Sequence, residues 1–170
     1  MVEAFPKAIE AYERLRRRGL IEGLAFKRVA EMAAGGVRRA DCSAIGAQIT
    51  VSPDGALGPC HSLVGERIDF VGNVADPDFN PFLTDTFKEW SRRYPLNMKD
   101  CEGCSALGIC GGGCPYNALT KRGSIWEKDP QQCSWMYAFI NWFIDDCWAR
   151  YQLATVKVPR PAAPLRPLYS

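Results

Sequence analysis

The stretch Cys101-x2-Cys104-x5-Cys110-x3-Cys114, closed by Pro115, limits what this chain can fold into more than any other feature. A Cys-x2-Cys pair lets two thiolates of one tight turn face a single metal centre. Gly103 lies inside that pair, and Gly111, Gly112 and Gly113 separate the last two cysteines. Glycine permits positive φ and close approach of backbone to a bound group, which is the expected use of all four. The exposed amides of the triple glycine can also hydrogen-bond to inorganic sulfide. The spacing predicts an irregular segment over 96–128, with a short helix near 116–121.

Upstream stands Cys42-x12-Gly55-x4-Cys60, and downstream Cys133 and Cys147, making eight cysteines in 170 residues. A disulfide framework needs an oxidising compartment. The N-terminus carries acidic residues and no apolar h-region, so no signal peptide is expected. No apolar run reaches the roughly 20 residues that span a bilayer. The expected compartment is the cytoplasm, where clustered cysteines are more often metal ligands. Hydrophobic residues at 47% and a net charge of +2 describe an ordinary globular chain and speak against general nucleic-acid or membrane binding. Arg16, Arg17 and Arg18, and Arg38 with Arg39, are expected on solvated faces.

The fold class expected is a small, irregular α+β domain: a β-hairpin and cysteine-rich loops flanked by helices, with a long C-terminal helix. Residues 5–34 read as two helices, the first carrying Phe5, Ala8, Ile9, Tyr12 and Leu15 at helical spacing. Ala47, Ile49 and Val51 alternate with Gln48 and Thr50, and Ser52, Pro53, Asp54 and Gly55 supply a turn, which together signal a hairpin ending at Cys60. Residues 63–81 read as loop. Residues 82–94 read as an amphipathic helix with Phe82, Leu83, Phe87 and Trp90 as its apolar set, stopped by Pro95. Asp129 caps a helix with Pro130 at its first position, running to about Ala154. That helix is apolar on most sides, which predicts core packing over most of its surface, or docking of part of it on a domain this chain lacks. Cys147 is expected as a buried thiol. The segments divide as 1–41, 42–135, 136–156 and a Pro-rich tail, 157–170, expected to be extended or disordered.

Tetrahedral thiolate sites suit zinc or iron–sulfur clusters. Zinc ribbons use compact Cys-x2-Cys pairs twice. Here one such pair stands, and the x5 and x3 intervals break that pattern, so spacing favours iron and sulfide. A proline directly after the last cysteine of the run is similar to bacterial ferredoxins, in which that cysteine serves the other of two clusters.

The whole pattern, Cys-x12-Gly-x4-Cys, then Cys-x2-Cys-x5-Cys-x3-Cys, then Cys, resembles the seven-cysteine signature of SPASM domains over roughly residues 42–133. These are C-terminal auxiliary modules of radical SAM maturases that act on peptides or proteins. The string CGGGCPYNA from Cys110 to Ala118 is similar to the peptide-modifying members. The resemblance implies two clusters, usually [4Fe–4S]. Cluster I would take Cys42, Cys60 and Cys114, and cluster II would take Cys101, Cys104, Cys110 and Cys133. The clusters would move electrons or orient substrate, and 1–41 would be the helical bridge to a radical SAM barrel domain or subunit.

The chain departs from that pattern in three ways. Residues 43–59 hold no further cysteine, so cluster I has an open position or borrows His61 or Asp41. Cys147 is surplus. The Cys-x3-Cys-x2-Cys loop that binds S-adenosylmethionine is missing, since Asn117 stands where its third cysteine would be. The chain is therefore not expected to bind S-adenosylmethionine or to catalyse alone. A ferredoxin-like electron carrier and a zinc-stabilised interaction domain are the alternatives. His61 is the single histidine, so a Cys–His catalytic pair would be confined to Cys60 beside it. Trp126, Tyr116 and Asn117 lie near the run, with packing as their expected role and substrate contact the alternative.

Overall fold

The computed structural model describes residues 4–20 and 23–157, and the Pro-rich tail from 158 onward lies outside the described residues. Its elements, in chain order, are α1 (Ala4–Arg16), α2 (Gly23–Ala33), β1 (Thr50–Val51), β2 (Ala56–Gly58), β3 (Val71–Asn73), α3 (Asp85–Arg92), α4 (Leu107–Cys110), α5 (Pro115–Arg122) and α6 (Pro130–Lys157). The fold is small α+β.

The hairpin forms where turn chemistry demands it. Ser52 N–H donates to Ala56 O at 2.9 Å, Gly55 N–H to Ser52 O at 2.8 Å, and Ser52 Oγ–H to Asp54 Oδ1 at 2.5 Å. β1 and β2 pair antiparallel with Thr50 opposite Gly58. A third strand, β3, pairs antiparallel with β2 across an irregularity between Ala56 and Leu57, inside a stretch read from sequence as loop. The alternation of 47–51 runs opposite to a half-buried strand: Ile49 and Val51 face solvent, while Gln48 turns inward and donates to Pro59 O at 3.1 Å.

The helix expected over 82–94 divides in two. Asn80 Oδ1 accepts from Phe82 N–H and starts a 3-10 turn, Pro81–Leu83; Thr84 Oγ then accepts from Phe87 N–H and starts α3. Phe87 and Trp90 are buried, but Phe82 and Leu83, left on the separate turn, are exposed. At α6, Asp129 Oδ1 accepts from the N–H groups of Gln131 and Gln132 at 3.0 and 3.3 Å, the N-cap its sequence position implies.

Two apolar cores result. One gathers Ala44, Cys60, Leu63, Trp90 and Ile125, with Cys42, Tyr116 and Trp126 packed against it. The other gathers Ala106, Ile109, Met136, Phe139 and Ile140, with Cys104 and Cys110 packed against it. Met136, Phe139 and Ile140 each contribute about 1.5–3 kcal/mol by leaving water. The far half of α6 is covered only in part. Tyr12 of α1 meets Trp142 edge-on at 5.6 Å, and Arg16 pairs with Asp146 at 3.2 Å. Ile144 and Trp148, by contrast, are exposed. Cys147 is exposed on this half and is not the buried thiol expected. Core packing on most sides therefore holds for the first half of α6 alone. Among the described residues no helix is long and apolar enough to cross a membrane.

Candidate metal centre

Cys101, Cys104, Cys110 and Cys133 line one cavity of about 220 Å³, walled further by Pro95, Ala106, Leu107 and Met136. Each thiol is delivered by a different local device. Cys101 ends a 3-10 turn, Lys99–Cys101, with its N–H on Met98 O at 2.9 Å. Cys104 closes the next turn through Cys101 O at 3.2 Å. Cys110 is the last residue of α4, and Cys133 lies in the first turn of α6 with its N–H on Asp129 O at 3.0 Å. Lys128 and Asp100, both exposed, line the same cavity and pair at 3.4 Å.

The electrostatics agree that these thiols share a space. Burial lifts Cys101, Cys110 and Cys133 above the ordinary thiol value, and mutual repulsion adds to it: Cys110 and Cys104 act on Cys101, Cys133 on Cys110, and Cys101 on Cys133. A backbone hydrogen bond from Gly112 partly offsets the rise at Cys110. Thiols in such company ionise readily once a metal supplies the opposite charge. Among the described residues no three Cys, His, Asp or Glu side chains converge on a single ion.

Cys42, Cys60 and Cys114 make a second set outside this cavity, with Cys42 packed against the core that holds Cys60. Cys60 is 4% exposed, and burial lifts its thiol; hydrogen bonds from Ser62 oppose the rise, and the charges of Cys114 and Cys42 add smaller increments to it. Cys114 is the N-cap residue of α5, and its N–H donates to Asp129 Oδ2 at 3.1 Å. The same carboxyl that caps α6 therefore holds the start of α5. Of the two candidates for a fourth ligand, one is held in ion pairs and the other is exposed. Asp41 pairs with Arg28 at 2.5 Å and with Arg38 at 3.3 Å, and His61 is exposed. Arg38, expected in solvent, is half-buried between Glu31 and Asp41 because its N–H bonds to Gly108 O and lays it against α4.

The triple glycine makes room for protein. A Cβ on Gly111 would stand 2.5 Å from Asp41 N, and one on Gly113 would stand 2.8 Å from Asp129 Cβ. Gly103, at φ +71°, has open space beside it, so its turn needs the conformation and not the clearance. Gln132, whose stem lies against Gly113, holds a buried Nε2 with no hydrogen-bond partner, a spare donor beside the loop that joins the two groups. Asn117 donates to Asp129, while Tyr116 and Trp126 pack on the first core.

Two buried arginines were not singled out by sequence. Arg28 of α2 donates to Ile109 O and Cys110 O at 3.0 and 2.8 Å. Arg93, just past α3, donates into residues 112–113 and 125–127. Arg93 follows a helix end, where a basic residue reads from sequence as a partner of the helix dipole, and Arg28 lies mid-helix, where it reads as a solvated side chain, so no pattern marks either.

No protein-family model matches this chain. Over 92 residues, 54% of its length, it is 27% identical to the radical SAM cyclopropyl synthase TigE of Paramaledivibacter caminithermalis. The match covers 18% of that enzyme, so this chain spans a small part of its relative's length. The similarity hints at a radical SAM-related domain.

Proposed function

We propose that this chain binds two iron–sulfur clusters of the [4Fe–4S] type and serves as an auxiliary module, of the SPASM kind, to a radical SAM enzyme that modifies a peptide or protein. The observation that carries the reading is the single cavity walled by Cys101, Cys104, Cys110 and Cys133. These would hold cluster II, and Cys42, Cys60 and Cys114 would hold cluster I with one corner free of a cysteine. When bound, the clusters supply one-electron transfer and, at an open corner, a Lewis-acidic iron. The chain's own residues supply thiolates, a largely apolar wall and a rigid frame. The barrel that cleaves S-adenosylmethionine would belong to another domain or subunit, with residues 1–41 as the bridge toward it, and the cytoplasm would keep the thiols reduced.

The test is anaerobic iron and acid-labile sulfide analysis of the purified chain, with EPR of the dithionite-reduced protein. Two reducible clusters per chain support the reading. A colourless protein with zinc and no sulfide overturns it, and two reversible clusters with no binding to a radical SAM partner would favour a free electron carrier.

A further inference from the structure

Arg93 is 0% exposed, yet its guanidinium meets backbone alone. Nε donates to Ile125 O, Nη1 to Gly112 O and Gly113 O at 3.0 and 3.3 Å, and Nη2 to Glu127 O at 3.2 Å. Among the described residues no carboxylate stands within ion-pair distance of it. Carbonyls satisfy the donors but supply no anion in direct contact, and a buried cation without a paired anion is costly. The acidic groups near enough to act on Arg93 when ionised are Cys114, Cys101, Asp129 and Cys110. Three of the four are thiols, and they come from both groups. Ligated to iron, such thiols stay ionised, and a thiolate-bound cluster carries net negative charge that grows on reduction.

We propose that Arg93 is the shared counter-cation of the two cluster sites, a positioning residue that holds the loop between Cys110 and Cys114 and favours the reduced state on both sides of it. This rests on the cluster reading above. The planar fork matters as well as the charge: Nη1 spans the carbonyls of Gly112 and Gly113, and a lysine ammonium carries the charge without the fork.

Wild type, R93K and R93M are reconstituted anaerobically, assayed for iron and sulfide, and titrated with dithionite under EPR. In loaded R93M the preference of both clusters for the reduced state is expected to fall about tenfold, a drop of about 59 mV for a one-electron couple. R93K, which keeps the charge, is expected to fall by less than half as much. Full iron in R93M with unchanged midpoints overturns the proposal. If R93M holds no iron, R93K decides. An R93K that loads with at most that smaller fall supports a counter-charge. An R93K as empty as R93M reduces Arg93 to a clamp on carbonyls and overturns it. A wild-type chain without iron and sulfide overturns the cluster reading and this proposal with it, whereas loaded wild type beside an unshifted R93M overturns this proposal alone.

Discussion

Cys110 and Cys114 bracket three glycines, yet the first lines the cavity with Cys133 while the second lies outside it and acts on the buried Cys60. Substitutions on either side of that loop therefore separate the sites. C110S is expected to remove one cluster and C114S the other, each lowering iron by about half, while C147S leaves iron unchanged. Iron per chain and the surviving EPR signal check this. Equal loss of both signals in C110S and C114S would show one shared site.

G111A and G103A share a left-handed φ but differ in surroundings, +73° against backbone and +71° against open space. G103A should cost about 1 kcal/mol from conformation alone. G111A should cost about 3 kcal/mol or more, because its Cβ strikes the backbone at Asp41 and must push 38–41 off α4. Urea denaturation of the two variants measures the gap.

Asp129 ties the two halves together by capping α6 with Oδ1 and holding Cys114 N–H with Oδ2. D129A is expected to destabilise by about 2 kcal/mol. D129N can keep the cap, but its amide then meets Cys114 N–H as donor against donor, so an intermediate loss is expected. Parallel urea titrations rank the three proteins.

The contact between α1 and α6 should weaken in acid. Burial pushes the Asp146 carboxyl up, but hydrogen bonds from Arg150 and Arg16 outweigh it and hold the group below its ordinary 3.8. A depressed folded value means stabilisation that is present above 3.8 and lost as pH falls through the lower, folded value. The effect is less than about 1 kcal/mol for so accessible a network. Trp142, which meets Tyr12, reports it by fluorescence, and D146N should abolish the acid step.

Iron removal should loosen the centre more than the periphery. Met98, Ala106, Ile109, Pro115, Ala118 and Ile125 are buried apolar residues of 96–128, more than its glycine-rich sequence suggests, but most of the rest is turn. Structural metal binding is worth about 10–16 kcal/mol in zinc-finger peptides, as much as a whole domain's net stability. Amides of 101–114 are expected to exchange at least about a hundredfold faster without iron, and those of β1 and β2 much less so. Equal protection in both forms would contradict the idea.

Where side chains act on their own backbone, sequence read the fold well. The Ser52–Gly55 turn and the Asp129–Pro130 helix start are both local chemistry. It failed where distant partners decide. β3 has three residues, one a glycine, and exists because β2 offers it an edge. Ile49 and Val51 face water because Gln48 finds Pro59 O. Cys147 reads as buried because a free thiol ordinarily packs as a small hydrophobe, whereas α1 meets only one side of the far half of α6 and leaves Cys147 exposed. Within the candidate centre, no periodicity links Cys133 to the run that ends at Cys114; resemblance grouped them, and the fold places Cys133 beside the cavity through the cap on α6. Arg93 left no trace in the pattern at all, since its partners are carbonyls.

Cys147 stands fourteen residues beyond Cys133 on one continuous helix and is open to solvent. At 1.5 Å per residue the two are about 21 Å apart along the axis. A nitroxide attached there would ride on a rigid arm at a fixed remove from whatever Cys133 ligates. Its relaxation would then report magnetically on that site with no change to the ligands, so α6 doubles as a ruler built into the chain.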